Sequence, residues 1–169
     1  GRPLVAHTWQ RFDSLAAIDE IVVVVRDGMQ SAFTELAAQF QKPYRLVAGG
    51  AERQDSVWNG LQALSPESEI VAIQDGARPC TAAAVIEATI QAARETGAAV
   101  AAQRLTDTIK ESDDGRMIAR HLDRSRLWAV QTPQTFRVAV IHRALEEVRR
   151  QGLLVTDDTA ACELIGQPV

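Results

Sequence analysis

Leu4, Val5, Thr8, Trp9 and Phe12 recur at helical spacing, and the apolar stretch Ile21 to Val25 is β-branched or Ile throughout, as in strands covered on both faces. Helical spacing returns from Ser31 to Phe40 through Phe33, Leu36, Ala37 and Phe40. After Pro43 comes a short strand, Tyr44 to Ala48, ending in Gly49-Gly50. Val57, Leu61 and Leu64 share one helical face closed by Ser65-Pro66, and Ile70 to Ile73 forms the next apolar strand, ending in Gln74-Asp75-Gly76. Thr81 is placed to cap a long Ala-rich helix stopped at Gly97, with a small-residue strand, Ala98 to Ala102, behind it.

The period then changes. Thr108 to Ser112 and Arg116 to Leu122 flank the turn sequence Asp113-Asp114-Gly115, which predicts a hairpin. It is polar on both sides, so it is expected to project from the sheet. Leu127 to Gln131 rejoins the sheet. Val140, Ile141, Ala144, Leu145 and Val148 mark a helix ending near Gly152, and Thr156-Asp157-Asp158 opens a last one ending at Gly166. With no internal repeat, low-complexity stretch or linker, the alternation predicts a single α/β domain on an open, mainly parallel sheet with helices on both faces. Ligands of such sheets bind at the carboxyl ends of the strands.

Composition narrows the chemistry. The 169 residues are 46% hydrophobic and 24% charged, enough apolar material for a core. With 22 acidic against 18 basic side chains the formal net charge is −4, and only 5% are aromatic, which disfavours a nucleic-acid partner on both field and stacking grounds. Any bound phosphate must meet a few local cations. Cys80 and Cys162 lie far apart without a CxxC, which reads as two reduced thiols of a cytoplasmic protein. No apolar run approaches the roughly 20 residues of a membrane span. Gly1-Arg2-Pro3-Leu4 enters a helix without a methionine and Gly166-Gln167-Pro168-Val169 stops just beyond one, so both ends are expected to be cut.

Three polar sets fall at strand ends. Gly49-Gly50-Ala51-Glu52-Arg53-Gln54-Asp55-Ser56 leads into a helix: paired glycines admit a ligand, a helix N-terminus offers N–H groups to an anion, and Arg53 and Ser56 add donors. On these residues alone an ordinary turn capped by Asp55 or Ser56 is the favoured reading. Asp75-Gly76-Ala77-Arg78-Pro79 sets a carboxylate where Mg²⁺ could sit between it and phosphates, or else forms a turn with an Asp75–Arg78 ion pair. In Leu122-Asp123-Arg124-Ser125-Arg126-Leu127-Trp128, Arg124 suits bidentate phosphate binding, or pairs with Asp123 on a solvated strand. His7, His121 and His142 lack metal-like spacing, Trp9, Trp58 and Trp128 are expected in the core, and Glu146-Glu147 with Arg149-Arg150 reads as a solvated helix face.

Together with Asp107-Thr108-Ile109-Lys110, Gln131-Thr132-Pro133-Gln134 and Thr156-Asp157-Asp158, these ordered motifs resemble the 2-C-methyl-D-erythritol 4-phosphate cytidylyltransferase family. The resemblance implies a Rossmann-like nucleotidyltransferase that joins CTP to a sugar-alcohol phosphate with Mg²⁺. It implies that Gly50, Ala51, Arg53, Ser56 and Asp75 serve CTP, that Asp75 is the catalytic and metal residue, and that Thr108, Arg124, Thr132, Thr156 and Arg78 serve the second substrate. Residues 107–124 become a homodimer arm that carries Thr108 and Arg124 into the partner's site. A Gly-rich triphosphate loop and a Lys segment of the family are expected to lie outside residues 1–169. Two other readings stand beside this one: a ribitol-5-phosphate or other polyol-phosphate cytidylyltransferase, and a non-catalytic α/β dimer domain keeping part of a nucleotide pocket.

Overall fold

Five of the seven strands gather into two small sheets, one of two strands and one of three. A computed structural model describes all of residues 1–169. In chain order it contains α1 (Leu4–Asp13), β1 (Ile21–Val25), α2 (Gln30–Ala37), β2 (Tyr44–Ala48), α3 (Arg53–Gln62), β3 (Ile70–Ile73) and α4 (Ala83–Thr96). There follow β4 (Ala98–Arg104), the hairpin strands β5 (Lys110–Glu111) and β6 (Arg120–His121), then β7 (Trp128–Arg137), α5 (Val138–Gln151) and α6 (Asp158–Leu164). No helix is long and apolar enough to cross a membrane.

The α/β class stands. β1 and β2 pair in parallel, Ile21 opposite Tyr44 through Val25 opposite Ala48, and the N–H of Gly49 extends the ladder to the Val25 carbonyl at 2.8 Å. β7 lies between β3 and β4 and runs antiparallel to both, so β3 and β4 share a direction. β1 and β3 each keep one edge without a strand partner.

β7 is the main departure from the sequence reading, which returned only residues 127–131 to the sheet. The strand runs on to Arg137 with Thr132, Gln134 and Thr135 buried in it. Polar residues in a central strand need partners. Thr135 donates to the Thr89 hydroxyl at 3.0 Å, and Thr132 and Gln134 find theirs in the site described below.

The main core lies under α5, where Phe136, Ile141, Leu145 and Val148 are fully buried, each contributing about 1.5–3 kcal/mol by leaving water. A second cluster stacks Phe40 on Trp9, ring centroids 4.6 Å apart, and a third joins Phe12, Leu15, Ile86 and Ile90 to Ile21 and Ile70. Gly97 and Gly152 end α4 and α5 at φ +95° and +64°, as their positions predict.

Three local expectations change. Trp128 is half exposed and carries the Arg104 guanidinium 4.7 Å from its ring instead of packing in the core. Thr81 does not cap α4, which starts after Ala82; its hydroxyl is bound into the 74–81 loop. Asp123 and Arg124 do not pair, for Asp123 caps the Arg124–Arg126 turn and Arg124 donates to the Thr106 carbonyl.

Candidate active site

The turn after β2 is built by its own side chains. A Cβ on Gly50 would lie 2.2 Å from that of Asp55, so only glycine fits. The Ser56 hydroxyl accepts the Gly50 N–H at 3.0 Å and donates to the Glu52 carbonyl at 3.2 Å, while the Asp55 carboxylate accepts the Glu52 N–H at 3.2 Å. Ser56 therefore shapes the turn, and Asp55 acts as a capping partner of Glu52. Gly50 and Ala51 stay exposed on its outer side. Arg53 is the first residue of α3, pointed across the rim.

At the end of β3, the side-chain amide of Gln74 donates to the carbonyls of Asp75 (3.4 Å) and Arg78 (3.2 Å) and to the Thr81 hydroxyl (3.2 Å), which closes the loop that presents Asp75. The Asp75 N–H donates to the Thr132 hydroxyl at 3.2 Å. Arg78 Nε bonds Asp75 Oδ2 at 2.8 Å and its Nη1 bonds Gln131. The expected ion pair is present, with both partners more than a third exposed, so it stabilises the fold little and leaves the carboxylate open to the rim.

Gln134, level with Ile73 across the sheet, gathers α6 into the same site. Its Oε1 accepts the Asp158 N–H at 3.0 Å and its Nε2 donates to Asp157 at 3.2 Å. Asp157 caps α6 by accepting the Ala160 N–H at 2.8 Å. Exposed Thr156 precedes it on the rim. Asp158 is 0% exposed, and its Oδ2 lies 2.8 Å from Arg53 Nη2, although no donor meets either oxygen with hydrogen-bond geometry. Burial pushes the Asp158 carboxyl above its ordinary value, Arg53 opposes the shift, and Asp157 and Asp75 add to it. Burial works against the charge of Arg53, but Asp158, Asp75 and Asp157 outweigh it and raise its pKa.

The rim thus collects Gly50, Ala51, Arg53, Ser56, Asp75, Arg78, Thr132 and Thr156. Thr108 and Arg124 are exposed on the hairpin side of the chain and make no bond to this group. The sequence reading singled out none of Gln74, Gln131 and Gln134, and read Asp158 only as part of a helix start. The partners of Gln131, Gln134 and Asp158 lie 23 to over 100 residues away along the chain, whereas those of Gln74 lie within its own loop.

As a metal site, Asp75 offers one carboxylate, and no group of three His, Cys, Asp or Glu side chains is arranged to hold an ion alone. This fits a hard divalent cation that takes one or two carboxylates and completes its shell with substrate phosphate oxygens. Arg53 and Arg78 beside Asp75 give the rim the chemistry to orient phosphates. An open depression of about 490 Å³ along Phe40–Arg45 lies at the opposite end of β2 and shares no residue with the rim.

Comparison with known proteins covers the whole chain. The family model described as "IspD: 2-C-methyl-D-erythritol 4-phosphate cytidylyltransferase" matches residues 1–169. The protein of that name from Geobacillus kaustophilus is 46% identical over 171 residues, covering 100% of this chain and 74% of its own. That from Pelotomaculum thermopropionicum is 40% identical, with 100% and 72% covered. A 4-diphosphocytidyl-2C-methyl-D-erythritol synthase structure from Anaerococcus prevotii superposes with a TM-score of 0.93 at 30% identity, over 99% of this chain and 74% of the other.

Proposed function

The chain belongs to the 2-C-methyl-D-erythritol 4-phosphate cytidylyltransferase family, and on that premise we propose how its rim transfers a cytidylyl group from CTP to 2-C-methyl-D-erythritol 4-phosphate in isoprenoid precursor synthesis. The observation that carries the reading is the meeting of the Gly49-Gly50 turn, Arg53, Asp75 and Arg78 at one edge of the sheets. Cytidine rests against the outer side of the turn at Gly50 and Ala51, with the phosphates toward Arg53 and Asp75. Thr132, Thr156 and Arg78 face the sugar-alcohol phosphate.

A phosphate oxygen of methylerythritol phosphate attacks the α-phosphorus of CTP; the new P–O bond forms as the α–β bridge breaks, and diphosphate leaves. Proximity and charge stabilisation carry most of such a reaction. Mg²⁺ supplies charge neutralisation between phosphates when bound, and Asp75 would hold it. Arg53 and Arg78 hold phosphate oxygens in line. The protein works in the cytoplasm as a homodimer, residues 1–169 belong to a single nucleotidyltransferase domain that extends beyond both ends, and the 107–124 arm brings Thr108 and Arg124 to the partner's phosphate subsite.

The test is release of diphosphate from CTP and Mg²⁺ with methylerythritol phosphate or ribitol phosphate as acceptor. Turnover with the first is expected. Turnover confined to ribitol phosphate, or none with either, would overturn the assignment.

A further inference from the structure

Asp158 is a fully buried carboxylate with no catalytic reason to be ionised, and its surroundings are costly for a charge. Neither oxygen receives a well-directed hydrogen bond, and Asp157 and Asp75 crowd it with like charge. Its one counter-charge is Arg53, 2.8 Å away. A buried ion pair of this kind is a poor source of stability, because desolvation offsets most of the attraction and a neutral pair of similar shape does as well or better. What the pair does provide is a fixed position.

Arg53 starts α3 three residues after Gly50, while Asp158 starts α6 two residues after Thr156. These are separate elements, and the anchor of each is independent of the other. The Gly50 turn is held by Ser56 and Asp55, and the α6 start is held to β7 by Gln134 through the Asp158 backbone N–H. The Asp158 side chain is therefore free of the α6 anchor. It spans the remaining gap to Arg53, whose side chain keeps 37% exposure toward the cleft it shares with Asp75.

We propose that Asp158 is a positioning residue: its buried carboxylate fixes the Arg53 guanidinium so that the free donors of Arg53 meet the phosphates of CTP, and so that the CTP turn and the Thr156 segment are ordered as one unit. This rests on the proposed reaction, with Arg53 on the CTP side. Asp158 touches neither substrate.

The full chain and its Asp158→Asn, Arg53→Gln and double variants separate this role from a structural one. Asn keeps the shape and the backbone bond to Gln134 but loses the charge. The expected result for Asp158→Asn is a KM for CTP raised about tenfold, within the usual range for coupled sites, with kcat nearly unchanged, while the double variant, which makes the whole pair neutral, is expected to unfold at or above the wild-type temperature. The double variant is expected to have a KM no higher than Arg53→Gln alone, because without the guanidinium there is nothing left to position. It also carries a neutral amide pair, so it keeps the test open if the single Asn variant fails to fold.

An unchanged KM for CTP in Asp158→Asn, a fall in kcat alone, or KM effects that multiply in the double variant would each overturn the proposal. Wild-type turnover of CTP with methylerythritol phosphate reports separately on the reaction itself, so loss of the strut and loss of the functional reading are told apart.

Discussion

The Thr132 hydroxyl accepts the backbone N–H of Asp75 at 3.2 Å, which fastens the end of β3 to an antiparallel neighbour that lies 57 residues away along the chain. Thr132 is 6% exposed and Asp75 is half-buried, so the bond is partly sheltered from water. The acceptor role leaves the hydroxyl proton free to point elsewhere. One side chain can thereby fix Asp75 and still donate to a substrate phosphate.

Replacing Thr132 by Val keeps the shape and removes the acceptor. The expected loss is about 1 kcal/mol of stability, the net worth of a part-buried hydrogen bond, with a fall in kcat/KM. Urea unfolding beside steady-state kinetics checks it. A fall in kcat/KM at unchanged stability would confine the hydroxyl to a ligand contact.

Phe136, 0% exposed, sits between Val71 and Ala98 at the centre of the three-stranded sheet. Phe136→Ala is expected to cost about 3–5 kcal/mol in denaturant unfolding. A loss below about 1 kcal/mol would mean that this part of the sheet collapses around the gap.

Arg124 is exposed on the hairpin side and donates only to the Thr106 carbonyl. Its assignment to the partner's phosphate predicts that Arg124→Ala raises the KM for methylerythritol phosphate about tenfold to a hundredfold, the worth of a charged hydrogen bond, and spares that for CTP. Replacing residues 107–124 with a short linker is expected to give a monomer in analytical ultracentrifugation. A dimer that persists without the arm would remove it from the interface.

Burial pushes the Cys162 thiol up to about 11, with Asp158 and Asp157 adding to the shift, whereas Cys80 is exposed. At about pH 8 only roughly a thousandth of Cys162 is thiolate, so iodoacetamide is expected to label Cys80 alone in the folded protein. Mass spectrometry after digestion reads the outcome, and early labelling of Cys162 would show that the α5–α6 core opens readily.

The native Asp158 carboxyl has a pKa above the ordinary 3.8, raised by burial against the pull of Arg53 on α3, with Asp157 at the cap of α6, Cys162 on α6 and Asp75 after β3 as its other titratable neighbours. The native state holds that proton more tightly than the unfolded chain. Its stabilising effect is therefore complete below the unfolded value and lost as pH rises through the folded one. The unfolding temperature of the wild type minus that of Asp158→Asn is expected to become more positive from about pH 7 to about pH 4. A difference independent of pH would mean that Asp158 titrates as an ordinary carboxyl.

The apolar runs Ile21–Val25 and Ile70–Ile73, the helix stops at Gly97 and Gly152, and the Asp157 start of α6 were legible because each is a local matter of period, capping or backbone freedom. So were Gly50, Arg53, Asp75 and Arg78, which sit in short motifs directly behind strands. β7 was only half legible: Thr132-Pro133-Gln134-Thr135 stays outside the predicted strand until Asp75, Thr89, Asp157 and Asp158 supply the partners that let polar groups enter a central strand.

By itself the sequence determined the α/β alternation, the elements and the residues that carry charge to the rim, since period and motif spacing act over a few residues. Only the tertiary structure decided that β7 enters antiparallel between β3 and β4, that Ser56 serves its own turn, and that Asp158 is buried against Arg53. Those outcomes depend on desolvation and on hydrogen-bond partners from distant segments, and neither is defined until the chain has closed on itself.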